Sequence, residues 1–280
     1  MVRVGVHVSI AGGIANAVDR AAMKGCDVFQ IFSRNPRGWK FKDLSPQESK
    51  SFTAKLKKSV IGPVFDHMPY LPNLASPDED IYTQSVSTLT VELFRCGQLQ
   101  IPFLVTHLGS HRGSGQEERL RRLVDAISSA FSETENEVIL LLENTVGTKN
   151  SMGGSFGDIA AIIDALDSKR VGVCLDTCHL FGAGYELRTP EGIRSTLEEF
   201  DNLIGLKRLR LVHLNDSKGE LGSALDRHEH IGLGKIGEKG FRSILGNKTI
   251  KPLPMILETP IDSRRDDIDN LRVARELATS

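Results

Sequence analysis

The run Val171-Gly172-Val173-Cys174-Leu175 stops at Asp176, and His179 stands three residues further on. It is short, apolar and partly β-branched, the makeup of a buried strand. The same pattern recurs along the chain. Phe65 is followed by His67, and Phe103-Leu104-Val105 leads to His107. Val138-Ile139-Leu140-Leu141-Leu142 ends at Glu143, Leu209-Arg210-Leu211-Val212 at His213, and Met255-Ile256-Leu257 at Glu258. With two further apolar runs, near 3–8 and 28–32, the chain carries eight candidate strands, the others near 64–68, 103–108, 138–143, 171–176, 209–214 and 254–258.

The stretches between them read as helices. Ile14 to Met23 places Ala, Val and Met at helical spacing, and Glu117 to Phe131 puts Leu120, Leu123, Val124 and Ile127 on one face. Asp158 to Leu166 and Pro190 to Phe200 behave likewise, with Pro190 suited to a first helical position after Thr189 as N-cap. Strands alternating with helices predict a parallel sheet, and eight such units close a (β/α)8 TIM barrel. An open doubly wound sheet is the alternative, but Ser9-Ile10-Ala11-Gly12-Gly13 matches neither the dinucleotide nor the P-loop fingerprint. Polar residues at the ends of six strands meet at one place only if the sheet curls into a ring, and barrel sites lie at that C-terminal face.

A length of 280 residues suits one barrel domain spanning 1–280, with no linker-like stretch. No apolar run reaches the ~18 residues of a membrane span. The opening Met1 to His7 reads as a strand, without the charged head and long apolar stretch of a signal peptide. Cys26, Cys96, Cys174 and Cys178 fall in apolar or helix-like segments and read as reduced, packed thiols of a cytoplasmic protein, nucleoid-associated if prokaryotic. The net charge of -1 does not announce a nucleic-acid binder, yet a few clustered Lys and Arg suffice to hold phosphates.

His67, His107, Glu143, Asp176, His179, His213 and Glu258, with Asp226 and His228 from the long segment after His213, supply five imidazoles and four carboxylates. Such groups beside a core are costly unless something pairs with them, and a metal cluster pairs with all at once. Asp226 and His228 share one face of an extended segment through its two-residue period. The mixture suits zinc, manganese or iron and exceeds what one tetrahedral zinc takes, about four ligands. Two or three ions sharing carboxylates point to phosphate-ester hydrolysis. Three histidines are surplus: His7, a partner for the ligands, and His111 and His230, read as loop residues that face solvent or touch a phosphate.

Arg34, Arg37, Lys40 and Lys42 surround Trp39 and Phe41 after the second strand, and Lys149, Arg188, Lys218 and Arg227 also follow strands. Together they predict a basic rim around the metal pocket. Tyr70-Leu71 after His67 has the makeup of a wedge for a base stack.

Three stretches carry a resemblance that covers essentially the whole chain. They are His67-Met68-Pro69-Tyr70-Leu71-Pro72-Asn73-Leu74-Ala75, then Gly172 to His179 continuing to Gly184-Tyr185, and Leu214-Asn215-Asp216-Ser217-Lys218 followed by Asp226-Arg227-His228 and Ile231-Gly232-Leu233-Gly234. In these the chain resembles the endonuclease IV family of abasic-site endonucleases. The resemblance implies a DNA-repair hydrolase cutting the phosphodiester 5′ to an abasic site in duplex DNA, leaving a 3′-hydroxyl and a 5′-deoxyribose phosphate. It implies three zinc ions. His67, His107 and Glu143 would hold one, Glu143, Asp176, His213 and Glu258 a second, and His179, Asp226 and His228 the third. Glu143 and Glu258 would be catalytic, and Arg37, Tyr70 and Leu71 would insert into DNA. Side activity on 3′ ends is a further implication, and a monomer is the default. Met68-Pro69 and Asp66 depart from the family pattern; Asp66 either orients His67 or points between strand and helix. The rival readings are a metal-dependent sugar isomerase or epimerase on the same barrel, and a protein that binds damaged DNA without cutting it.

Overall fold

The computed structural model describes residues 2–110 and 115–279, so His111 lies outside the described residues. The chain runs β1 (Arg3–Val6), α1 (Asn16–Met23), β2 (Phe29–Ile31), α2 (Pro46–Lys58), β3 (Val64–His67), α3 (Glu79–Leu99), β4 (Phe103–His107), α4 (Gln116–Ser132) and β5 (Ile139–Glu143). It continues with α5 (Phe156–Leu166), β6 (Val171–Asp176), α6 (Thr177–Gly182), α7 (Pro190–Leu203), β7 (Leu209–His213), β8 (Asp216–Ser217), β9 (His228–Glu229), α8 (Gly237–Gly246), β10 (Pro254–Leu257) and α9 (Asp267–Leu277).

Eight strands lie side by side in the order β1-β10-β7-β6-β5-β4-β3-β2, and every ladder is parallel. The ring closes between β2 and β1 through a parallel bridge of His7 with Gln30, where Val8 N donates to Gln30 O at 2.8 Å. This is the expected TIM barrel. Gly5 makes the seam possible, since a Cβ there would run into the carbonyl oxygen of Val28.

The eight strands fall within a residue or two of the apolar runs, and the four expected helices are present. Thr189 caps α7 through its hydroxyl, with Pro190 at the first position. Among the helices that periodicity does not single out is α3, whose buried face carries Ser85, Thr88, Glu92 and Arg95 as well as apolar residues. β8 and β9 form a two-residue antiparallel ribbon outside the barrel.

Side chains on the barrel strands alternate between two buried layers. Val28, Phe65, Val105, Leu141, Cys174, Leu211 and Ile256 form a cluster of their own inside the ring. Their neighbours, among them Leu104, Leu140, Leu142, Val173, Val212 and Met255, pack outward with the helices. The two-residue period then fixes which side chain comes next on the inner face, toward the C-terminal end of each strand. Two positions on stand Gln30, His67, His107, Glu143, Asp176, His213 and Glu258, and the same step from Gly5 on β1 reaches His7. The site is the next layer of the barrel interior, with polar groups in place of apolar ones.

Candidate metal centre

Glu143 sits at the middle of this layer, buried, with both oxygens engaged. Its Oε2 lies 3.2 Å from His67 Nε2 and 3.7 Å from His107 Nδ1, while Oε1 lies 3.2 Å from His213 Nδ1 and 3.4 Å from His179 Nδ1. His213 Nδ1 is also 3.3 Å from Glu258 Oε2. A further set forms where β9 brings in its loop: His179 Nε2 is 3.2 Å from Asp226 Oδ1, and His228 Nε2 is 3.7 Å from the same oxygen and 3.6 Å from Asp176 Oδ2. All nine residues read as ligands are brought together. They form the groups His67–His107–Glu143, Glu143–Asp176–His213–Glu258 and His179–Asp226–His228, the donor atoms in each lying within 4.8 Å of one another.

Tautomers test whether a cation fits. His67 Nδ1 faces Met68 O at 2.7 Å, His179 Nδ1 faces Asn144 O at 2.9 Å, and His228 Nδ1 faces Glu258 O at 3.1 Å. A carbonyl only accepts, so each Nδ1 carries a proton and each ring presents its Nε2 to the cluster. A lone pair opposite a carboxylate oxygen is repulsive unless a positive charge lies between them. His228 Nε2 is moreover buried with no hydrogen-bond partner. The donor set therefore fits divalent metal of the imidazole-carboxylate type.

The electrostatics without metal agree. Burial alone would raise the Glu143 carboxyl, but His107, His213 and His179 together hold it well below the usual carboxylate range. Glu258 is likewise opposed by burial and brought down to about 2, chiefly by His213. Burial would lower His179 and His213, yet both are raised well above an ordinary imidazole, His179 mainly by Asp176 and His213 by Cys174, Glu258 and Glu143. Cations, protons in this case, are drawn to the places where metals would sit. His7, at the edge of the cluster, goes the other way, and burial lowers it to about 4.

Several supporting groups stand outside the pattern of ligands at strand ends. Asn215 Nδ2 donates to Asp176 Oδ2 at 2.6 Å while its Oδ1 accepts from Glu258 N at 2.8 Å. Asn144 Oδ1 accepts from Asp176 N at 2.7 Å. The buried Gln30 side chain touches His7, His213 and Glu258. Asp216 accepts from the amides of Gly232, Gly234 and Ile236, which wraps the glycine-containing loop beside the β8–β9 ribbon.

The cluster opens into a cavity of about 730 Å³ at the C-terminal end of the barrel, lined also by Phe32, Arg37 and Tyr70. Tyr70 is 60% exposed and Leu71 42%, and Tyr70 leans edge-on against Phe32 with centroids 4.9 Å apart. Leu71 stands beside Tyr70 without lining the cavity. Tyr70 N donates to Pro36 O at 3.1 Å, which joins the loop after β3 to the loop carrying Arg37.

Other expectations are corrected. His230 is not a solvent-facing loop residue: it is fully buried, with Nε2 3.0 Å from Asp262 Oδ1 and Nδ1 3.0 Å from Asn270 Nδ2. Arg34 is not part of a basic rim; it is buried with Nε 2.6 Å from Glu92 Oε1. Arg188 is paired with Glu186. Asp66 points between strand and helix, where Oδ1 accepts from Ser33 N at 2.9 Å and from the His67 backbone amide at 3.0 Å, and Cys96 Sγ lies 3.4 Å from Oδ2. The His67 ring is held by Met68 instead. Burial pushes the Cys174 and Cys178 thiols up to about 12, although Cys178 lies near Asp176 and His228. All four cysteines are free and buried.

A ring of polar groups over the apolar interior of a (β/α)8 barrel defines the class, and the family model described as xylose isomerase-like TIM barrel matches residues 18–278. A D-tagatose 3-epimerase-like protein shares the fold, with TM-score 0.75 at 20% identity over 99% of this chain and 97% of that one. The probable endonuclease 4 of Methanoculleus marisnigri is 60% identical over 99% of both chains. The crystal structure of endonuclease IV from Thermus thermophilus superposes with TM-score 0.88 at 37% identity, again over 99% of each. The chain belongs to the endonuclease IV family.

Proposed function

We propose that this chain is a DNA-repair endonuclease that hydrolyses the phosphodiester 5′ to an abasic site in duplex DNA, leaving a 3′-hydroxyl and a 5′-deoxyribose phosphate. It acts as one catalytic domain over residues 1–280, as a monomer, in the cytoplasm. Among the described residues no helix is long and apolar enough to cross a membrane. The observation that carries the reading is the convergence of nine donors into three groups around Glu143 and Asp176, in a chain whose full-length relatives are named as endonuclease 4.

His67, His107 and Glu143 would hold one zinc, Glu143, Asp176, His213 and Glu258 a second, and His179, Asp226 and His228 a third; manganese or iron suits the same donors. Bound there, the metals supply an activated water and neutralise charge on the attacked phosphate and the leaving oxygen. Glu143 spans the first two groups, one oxygen to each, and its neighbours keep it ionised for that purpose. Glu258 faces His213 with one oxygen and takes a hydrogen bond from Gln30 on the other. Tyr70, exposed where it lines the cavity, and the exposed Leu71 next to it in sequence would wedge into the base stack, with Arg37 on the same cavity wall. A nucleotide without a base loses little stacking when extruded, which favours the damaged site over intact DNA. A sugar isomerase or epimerase on the same barrel has no use for the third group.

The test is incision of a duplex oligonucleotide with one tetrahydrofuran residue, an analogue that β-elimination cannot cut. Metal-loaded wild type should give a single cut on its 5′ side with an extendable 3′ end. Glu143→Gln leaves one oxygen to serve two groups, so incision should fall more than ~100-fold with duplex binding retained. Absence of any cut by the metal-loaded wild type would sink the endonuclease reading.

A further inference from the structure

Three of the histidines in the cluster have their tautomer set by a backbone carbonyl: His67 by Met68, His179 by Asn144 and His228 by Glu258. His213 has none. Its Nε2 faces the side-chain oxygen of Gln30 at 2.9 Å. On the other side of the amide, Gln30 Nε2 lies 2.7 Å from Glu258 Oε1 and 3.1 Å from His7 Nδ1. Gln30 is fully buried and occupies the place of β2 in the ring of polar residues, where six other strands present a ligand.

The amide has one consistent orientation. Glu258 Oε1 accepts, so it must meet the NH2 group, and that turns Oε1 of Gln30 to His213. His213 Nε2 then carries its proton toward Gln30, and the Nδ1 lone pair is left facing Glu143 and Glu258. A flipped amide would place two acceptors against each other at Glu258. It would also push the His213 proton onto Nδ1, where it blocks ligation. His7 Nδ1 accepts the remaining NH2 hydrogen, so both ends of the amide are satisfied in this orientation alone.

We propose that Gln30 is the positioning residue of the Glu143–Asp176–His213–Glu258 group, selecting the metal-competent tautomer of His213 and fixing the rotamer of Glu258. The role rests on the metal-centre reading. Groups that orient ligands in this way are typically worth about 10–100-fold in metal affinity.

The test is zinc release from the loaded protein to the chromogenic chelator 4-(2-pyridylazo)resorcinol. Gln30→Met keeps the length of the side chain and removes both hydrogen-bonding functions. One equivalent of zinc should leave this variant about 10–100-fold faster than wild type, with the remaining zinc unaffected. Gln30→Glu keeps an acceptor for His213 but sets a second carboxylate against Glu258 Oε1, so it should also release zinc faster than wild type. A Met variant that releases all its zinc at the wild-type rate overturns the proposal. Should the Met variant fail to fold, proton–nitrogen NMR of the zinc-loaded wild type decides. A slowly exchanging His213 Nε2 proton supports the role, and a proton found on Nδ1 overturns it. Wild-type protein that takes up no zinc would instead overturn the metal-centre reading.

Discussion

Asp66 precedes the candidate ligand His67, yet its carboxyl turns away from the cluster to the space beneath α3. Burial first, and then the Glu92 carboxylate, raise its pKa well above the usual range. A raised folded value means that its stabilising effect is complete below the ordinary carboxylate pKa and is lost as pH rises through the raised one. At neutral and alkaline pH this residue is therefore a cost. Asp66→Asn keeps an oxygen for the Ser33 and His67 amides and removes the charge. Its melting temperature should exceed that of wild type at pH 8 by a few degrees, as ~1 kcal/mol gives in large domains, with the gap closing toward pH 4. A gap that widens on acidification would contradict the assignment. His230 shows the same limit of residue-by-residue reading: the sequence places it in a loop, and the Asp262 and Asn270 side chains that bury it lie 32 and 40 positions away.

The loop between β2 and α2, which carries Arg37, is held from below by α3. Arg34 reaches Trp39 O at 3.1 Å and Thr88 Oγ1 at 3.2 Å, and Arg95 reaches Lys42 O at 3.2 Å and Ser33 Oγ at 2.8 Å. Glu92 takes Ser33 Oγ at 2.5 Å and stands against Arg34. The two guanidiniums thus hold the Trp39, Lys42 and Ser33 carbonyls of the loop, and Glu92 supplies their buried counter-charge. Glu92→Gln leaves that charge uncompensated and should cost about 3–5 kcal/mol in urea unfolding. It should also weaken binding to the abasic duplex, because the segment that bears Arg37 loses its support. Tyr70→Ala is the contrasting case. The ring is mostly exposed, so stability should stay within ~0.5 kcal/mol of wild type, while duplex binding weakens. Equal losses of binding and stability for Tyr70→Ala would place it in the scaffold and not at the DNA.

At the scale of the whole barrel, six of the eight strands end in a candidate ligand, so metal would tie the rim of the ring together. Anything that binds only the folded state stabilises it by mass action, about 4 kcal/mol when free metal stands a thousandfold above its dissociation constant. Chelation should lower the melting temperature, and adding back zinc should restore it. Hydrogen exchange should show protection lost first around Asp226 and His228, at the short two-residue β8–β9 ribbon, and last in the apolar layer of Val28, Phe65 and Leu141. A melting temperature indifferent to chelation would mean that the cluster holds no structural charge of metal.

Local sequence is enough for the barrel and for where its donors stand. Short apolar runs and their helical spacers are local patterns, and a two-residue period carries each inner side chain to the polar residue that ends its strand, as Leu141 leads to Glu143 and Leu211 to His213. The family signatures lie in the same local stretches. It takes the assembled ring to establish which nitrogen of each imidazole faces the cluster, that Arg34 and His230 are buried, and that Gln30 lies between His213 and Glu258. These depend on partners such as Glu258, 228 positions from Gln30, and on the Asn144 and Glu258 carbonyls that other strand ends present to His179 and His228. A hydrogen bond fixes an orientation only once both of its ends are in place, and the closing of the ring is what puts them there.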